Sequence, residues 1–329
     1  MLGLSDERTP VTDTQAAEAA MADALAGAAE LGASLAKYSW VGVGGPADVL
    51  VIAHDRETLV KAVRVARELG LPWRVYGGLT NILVPDSGLR GAIILNRTRA
   101  TNFEAGGRLV ADAGAIVVKV AREAIEKGWG GLTWAVGLPG TIGGAVVNNA
   151  GAFGGEISRV LVAADVLAPG GDLERVTVDW FGFQYRCSKL KGAGERWVVL
   201  GAEFQLHPAD PARLRAKADE YIERRQKGQP PGRTLGSTFK NPPGDYAGRL
   251  IDAAGLKGTR YGGIRISDHH ANFFINDGEG TAADFRALVE RVQSEVFARF
   301  GVRLEPEIEM LPEEPPDQPR ARYQRSVGS

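Results

Sequence analysis

With 329 residues, 44% of them hydrophobic and 24% charged, the chain is long enough for about two or three domains with buried cores. A formal net charge of -1 offers no basic footprint for nucleic acid, and no uninterrupted apolar run reaches the ~20 residues that a membrane span needs. The single cysteine, Cys187, excludes an intramolecular disulfide framework; MLGLSDERTP shows no signal-peptide pattern, so the expectation is a cytoplasmic protein.

In chain order, the alanine-rich stretch from Thr14 to Ala36, with Glu18, Asp23 and Glu30 along it, predicts a surface helix closed near Gly32. Asp48–Ala53 predicts a strand, Asp55 a cap for a helix through Leu69, and Pro72–Tyr76 a second strand. Gly42 to Ala47, GVGGPA, loosely meets a dinucleotide fingerprint. It precedes a strand and contains Pro46, whereas a Rossmann turn follows a strand and opens a helix, so that assignment is rejected. Directly after Tyr76 comes Gly77-Gly78-Leu79-Thr80-Asn81. Two glycines, a hydroxyl and a carboxamide at a strand end supply donors for phosphate oxygens without a lysine; a plain hairpin turn is the alternative.

Gly91–Asn96 and Leu109–Ala113 predict strands, and Ala115–Lys127 a helix. The segment Gly130–Ile157 follows, with nine glycines in 28 residues. Glycine in an element interior costs roughly 1 kcal/mol relative to alanine, so this segment cannot be helix or strand throughout. Its glycine count fits a pyrophosphate cradle and tight packing between strands equally well. Val160–Leu167, Leu173–Val178 and Trp197–Leu206 predict strands, with a turn at Gly170-Gly171, and Pro211–Lys227 a charged helix. Beyond it an extended loop runs to about Gly244 and Asp245 caps a helix through Ala254. Ala271–Asn276 predicts a strand, Thr281 with Asp284 opens an amphipathic helix to Phe300, and Val302–Glu305 predicts a closing strand. After Leu311 the polar, proline-rich tail is expected to be disordered. Neither glycine segment holds a P-loop lysine, and His54, His207, His269 and His270 show no metal-ligand spacing, so no metal is expected.

Six segments in fixed order go further: VGGPA at 43–47, GGLTN at 77–81, GLPGTIGGAVVNNAGAFGGEI at 137–157, YRCS at 185–188, GSTFKNP at 236–242 and LEPEIE at 304–309. Through them the chain resembles the UDP-N-acetylenolpyruvoylglucosamine reductase (MurB) family, in its shorter type. The resemblance implies an α+β fold, an FAD-binding fold of the vanillyl-alcohol-oxidase (PCMH) type with two subdomains plus an α+β substrate-binding domain. Residues 1–36 would then be an N-terminal extension, 37–96 and 97–208 the FAD-binding subdomains, 209–311 the substrate-binding domain and 312–329 the tail.

The implied activity is NADPH-dependent reduction of a UDP-sugar enolpyruvyl ether through non-covalently bound FAD, with no nucleic acid, membrane or metal partner. The implied FAD contacts are Gly77, Gly78, Thr80, Asn81 and Ile82 in the first loop. In the second they are Gly137, Gly140, Thr141, Gly143, Gly144, Asn149 and Gly151. The implied catalytic residues are Arg186 to bind the substrate carboxylate, Glu307 to assist it and Ser237 to protonate carbon. Taken alone, each reads as an ordinary surface, strand-end or turn residue. Arg225, Asn241 and Lys257, with Lys240, are candidates for the substrate's sugar and phosphates. A flavin oxidase or dehydrogenase of the same fold, or a non-catalytic nucleotide-sugar binding protein, stays open beside this reading.

The chain departs from the family pattern at four places. Leu79 stands where a third glycine is usual, and is strained if the position needs positive φ. Thr80 replaces serine, Trp40 phenylalanine and Glu309 arginine; the last two are expected to lie outside the chemistry.

Overall fold

The computed structural model describes residues 11–191 and 196–313. The first layer grows from strand Ala47–Ala53, whose ADVLVIA run is buried on both faces. It is flanked by Leu89–Asn96 and Ala29–Leu31, and Trp73–Tyr76 completes a four-stranded sheet. The three longer strands run parallel and Ala29–Leu31 runs antiparallel. Helix α1 (Val11–Ala24) and helix α2 (Arg56–Glu68) cover one face. The α2 sequence starts where it does because the Asp55 carboxylate accepts the Thr58 N–H at 2.7 Å. It stays on the sheet through Leu59, Ala62, Val63 and Ala66, spaced for one helical face.

The expected helix over Thr14–Ala36 is corrected here: it ends at Ala24, and Ala29–Leu31 pairs with Val49–Val51. Alanine content favours helix, yet strand Ala47–Ala53 would otherwise present an open edge, and edge pairing outweighs a weak propensity.

The second sheet is antiparallel throughout, in the order Leu173–Thr177, Leu161–Leu167, Val198–Gln205, Arg108–Asp112, Thr101–Phe103. Helices α3 (Val117–Glu126), α4 (Ile142–Val147) and α5 (Pro211–Gly228) share its core, α3 through Val117, Val120, Ala121, Ala124 and Ile125. Leu167, Val198 and Leu200 pack with α2, so the two sheets share a core, and Arg56 crosses between them to Asp112 at 2.8 Å and Asp165 at 3.2 Å.

The third layer contains helix α6 (Ala247–Ala253), the three-stranded sheet Arg260–Tyr261, Ile264–Ile266, Phe274–Asn276, and helix α7 (Ala282–Phe300). The capping box of Thr281 and Asp284 forms as read from the sequence. Three expectations change. Asp245 does not cap α6; the Ala247 N–H donates to Asn241 Oδ1 at 3.1 Å. The strand expected from Ala271 begins at Phe274. Val302–Glu305 is not a strand, because only Leu304 among these residues is buried and Pro306 lacks the N–H needed to continue a ladder. The chain instead reaches Glu309–Met310, which pairs in parallel with Ile82–Leu83 of the first layer. The tail expected to be disordered falls mostly on residues 314–329, outside the described residues. Among the described residues no helix is long and apolar enough to cross a membrane.

Candidate active site

The two glycine loops meet. A side chain on Gly77 would put its Cβ 2.1 Å from Thr141 Oγ1, and one on Gly78 would lie 3.5 Å from Gly140 Cα. Gly140, at φ 114, would carry its Cβ 3.1 Å from Thr80 Oγ1. The junction is therefore walled by glycines and by two threonine hydroxyls. Arg97 donates from Nη1 to the Gly77 carbonyl at 2.7 Å and steadies the first loop. Leu79 does adopt positive φ, 49°, and is 2% exposed. That conformation costs roughly 1–2 kcal/mol for a side-chain-bearing residue. Packing with Leu50, Leu89 and Ile93, worth about 1.5–3 kcal/mol for a buried leucine, offsets it.

Not every residue of the expected cofactor set has a free donor. The Gly143 N–H donates to Ala113 O at 2.7 Å, and Ile142 N–H to Ala115 O at 2.9 Å, so the expectation that Gly143 offers its amide to phosphate is corrected. Its missing side chain serves packing, since a Cβ there would sit 2.9 Å from Ala113 Cβ. Asn149 is also spent: Nδ2 donates to Gln184 O at 3.1 Å and Oδ1 accepts from Ser158 N at 3.0 Å. Gly151 belongs to a short hairpin paired with Glu156. Ile82 sits in the ladder with Glu309, and the Gly137 carbonyl accepts from Arg225 Nη1 at 2.5 Å. Gly77, Gly78, Thr80, Asn81, Gly140, Thr141 and Gly144 remain around the junction. A wall without Cβ atoms, with two threonine hydroxyls beside it, suits the diphosphate of a dinucleotide such as FAD.

The YRCS segment forms a tight turn. Gln184 and Cys187 exchange two backbone hydrogen bonds of 3.0 and 3.1 Å, and Arg186 between them takes φ 56. Ser188 Oγ donates to Val147 O at 2.6 Å, and Asn149 holds Gln184, so the turn hangs from the end of α4. This puts Arg186 Nε 3.0 Å from Glu307 Oε1, with about a quarter or less of each side chain exposed (24% and 21%). Glu307 in turn donates its N–H to Thr238 O at 2.8 Å, one residue from the half-buried Ser237. Asn81 of the first glycine loop donates from Nδ2 to Glu307 O at 3.1 Å and accepts from Glu309 N at 2.9 Å. Arg186, Ser237 and Glu307 thus converge beside the first loop from three separate stretches of chain.

Burial pushes the Glu307 carboxyl up from the usual range, opposed by Arg186, Lys191 and Lys240. Arg225 lies on α5 with Nε buried and without a hydrogen-bond partner among the described residues. Burial and the positive charge of Arg186 push its pKa down. Phe153 stacks on Tyr221 at 4.4 Å and lies beneath the Arg225 guanidinium at 5.9 Å, which fixes α5 over the site. Of the other two substrate candidates, Asn241 Oδ1 accepts the Ala247 N–H at the start of α6, and Lys257 pairs with Asp252 at 2.7 Å.

Sequence reading missed Lys191 and Tyr221, which no motif marks. It also set Glu309 aside. The charges of Glu309 and Glu307 both act on the half-buried Lys191. Among the described residues no group of three or more His, Cys, Asp or Glu side chains is arranged to hold a metal ion.

Two family models match: an FAD binding domain over residues 47–177, and the UDP-N-acetylenolpyruvoylglucosamine reductase C-terminal domain over 227–311. A UDP-N-acetylenolpyruvoylglucosamine reductase of Rubrobacter xylanophilus is 45% identical over 287 residues, 87% of this chain and 96% of the relative. One of Streptococcus agalactiae is 40% identical over 85% of this chain and 93% of its own length. The crystal structure of the Thermus caldophilus enzyme superposes with a TM-score of 0.74 at 35% identity, covering 86% of this chain and 98% of that one. The glycine-walled junction and the two sheets lie in and around the FAD binding domain of this α+β fold. The chain belongs to the UDP-N-acetylenolpyruvoylglucosamine reductase family, FAD-dependent oxidoreductases.

Proposed function

We propose that the chain reduces UDP-N-acetylglucosamine enolpyruvate to UDP-N-acetylmuramate at the expense of NADPH, a cytoplasmic step in peptidoglycan precursor synthesis. The observation that carries this reading is the Arg186–Glu307 ion pair of 3.0 Å. Its attachment to Thr238, beside Ser237, and to Asn81 of the first glycine loop supports a single site for sugar nucleotide and flavin.

Gly77, Gly78, Thr80, Asn81, Gly140, Thr141 and Gly144 would hold the FAD diphosphate, without a covalent bond. When bound and reduced by NADPH, FAD supplies from its N5 a hydride for the CH2 carbon of the enolpyruvyl group. Arg186 binds the substrate carboxylate through its planar fork, where negative charge accumulates as that carbon becomes CH3. Donors arranged in advance for such charge are typically worth about 3–4 kcal/mol in the transition state. Glu307 fixes the fork and, in its protonated form, adds a donor. Ser237 passes its hydroxyl proton to the adjacent carbon, which is basic enough to take it, and is reprotonated from solvent. General acid catalysis of this kind contributes roughly 10²- to 10⁴-fold. Arg225, with its unpartnered Nε, offers a second cation to the substrate's acidic groups.

The test is anaerobic. NADPH should bleach the bound flavin, and UDP-N-acetylglucosamine enolpyruvate should restore its colour. Restoration by oxygen alone, with the enolpyruvyl compound inert, would instead identify an oxidase of this fold; a colourless protein that binds only the sugar nucleotide would identify a binding module.

A further inference from the structure

The cations around Glu307 are held differently. Arg186 meets its carboxylate directly. Lys240 is drawn aside by Glu305 at 3.1 Å. Lys191 is half-buried, and its Nζ donates to the carbonyl of Arg186 at 3.4 Å. Lys191 therefore acts on the backbone of the residue that grips Glu307 while facing Glu307 itself. The charge of Glu309 acts on Lys191 as well. The two glutamates flank Ile308, which is 4% exposed, so they share the side of the chain turned away from the core. The backbone of Glu309 is fixed by the hydrogen bond to Asn81 O at 2.9 Å and by pairing with Ile82.

We propose that Lys191 is a positioning residue of the active site, with Glu309 as its counter-charge: the pair steadies the left-handed turn at Arg186 and gives Glu307 a second cation. The inference rests on the roles proposed for Arg186 and Glu307. It also gives a use to the glutamate that stands where the family pattern has arginine.

Among the described residues, the charges that act on each group are these. Glu307 is faced by Arg186, Lys191 and Lys240. Lys191 is faced by Glu309, Lys240, Cys187 and Glu307, and burial pushes its ammonium down. Glu309 is faced by Lys191 and Arg74. Each cation near Glu307 favours its ionised form, so removing one raises its pKa further.

The readout is the infrared titration of the carboxyl band identified by its loss in Glu307→Gln, followed in the flavin-loaded protein without substrate. In Lys191→Met this titration should move to higher pH by about half to one unit. Lys191→Arg should restore it. In steady-state turnover the limb governed by Glu307 should move with it, and the movement should vanish in the Glu307→Gln background. A Lys191→Met titration superimposable on that of the unaltered protein would overturn the proposal. If Lys191→Met fails to retain flavin, an unchanged titration in Lys191→Gln overturns it equally. The infrared result stands even if the unaltered protein proves inert toward the enolpyruvyl substrate, so failure of the reaction and failure of the Lys191 assignment are told apart.

Discussion

At Arg186 the backbone does part of the work usually left to a side chain's surroundings. A left-handed arginine is an uncommon conformation, and it persists because Gln184, Cys187, Ser188 and Asn149 fix the turn on both sides. Ser237 is less constrained, a half-buried residue on an extended segment bridged to Phe273. Its proposed role is a single proton transfer, which can be separated from everything else the chain does. Ser237→Ala should leave NADPH reduction of the flavin within about twofold while lowering turnover of the enolpyruvyl substrate by roughly 10²- to 10⁴-fold. Stopped-flow measurement of the two half-reactions decides it, and equal loss in both would rule out proton transfer as the role of this hydroxyl.

Between elements the tightest fit is loop against loop. Gly77 has no room for even a methyl group beside Thr141. Gly77→Ala should therefore push the loops apart and weaken flavin retention by at least about tenfold, a loss of 1.4 kcal/mol or more, with the sheets intact. Visible absorbance after gel filtration against far-ultraviolet circular dichroism measures both. Strands and helices with strong periodicity were legible in the sequence: α2, α5 and α7 fall within one or two residues of their predicted ends. So were the two glycine loops, because glycine and hydroxyl content signals backbone approach directly. The edge strand Ala29–Leu31 and the Glu309–Met310 pairing were not, since each depends on a partner far away in sequence. The same reason hid Lys191, whose neighbours Glu307 and Glu309 lie on another layer. Asn149 and Gly143 show what sequence cannot give, the internal partners of their polar groups. Their residue types suit a ligand, but their polar groups are consumed by the protein itself.

Across the molecule the second sheet is tied by charge as well as by its ladder. Glu203 accepts from Arg108 at 2.8 Å and also pairs with Arg175, and these hydrogen bonds hold its carboxyl down at about 2. Because the folded value lies below the ordinary value of 4.5, the stabilisation is fully present above pH 4.5 and is lost as pH falls toward 2. Glu203→Gln should lower stability at neutral pH and flatten the acid limb between those two values. Urea unfolding as a function of pH checks it; parallel curves for the two proteins would show that the network contributes nothing there.

The Asn81–Glu307 hydrogen bond joins residues 226 positions apart. A ribosome adding roughly 5–20 residues per second needs about ten to fifty seconds to pass from one to the other. Throughout that interval the nascent chain has its first glycine loop but no Glu307 to meet it, so a flavin captured early would rest in a half-built cleft open to water and oxygen. On the role proposed for Glu307, chemistry waits until the last layer has emerged, and the pairing of Glu309–Met310 with Ile82–Leu83 is what joins that layer to the first.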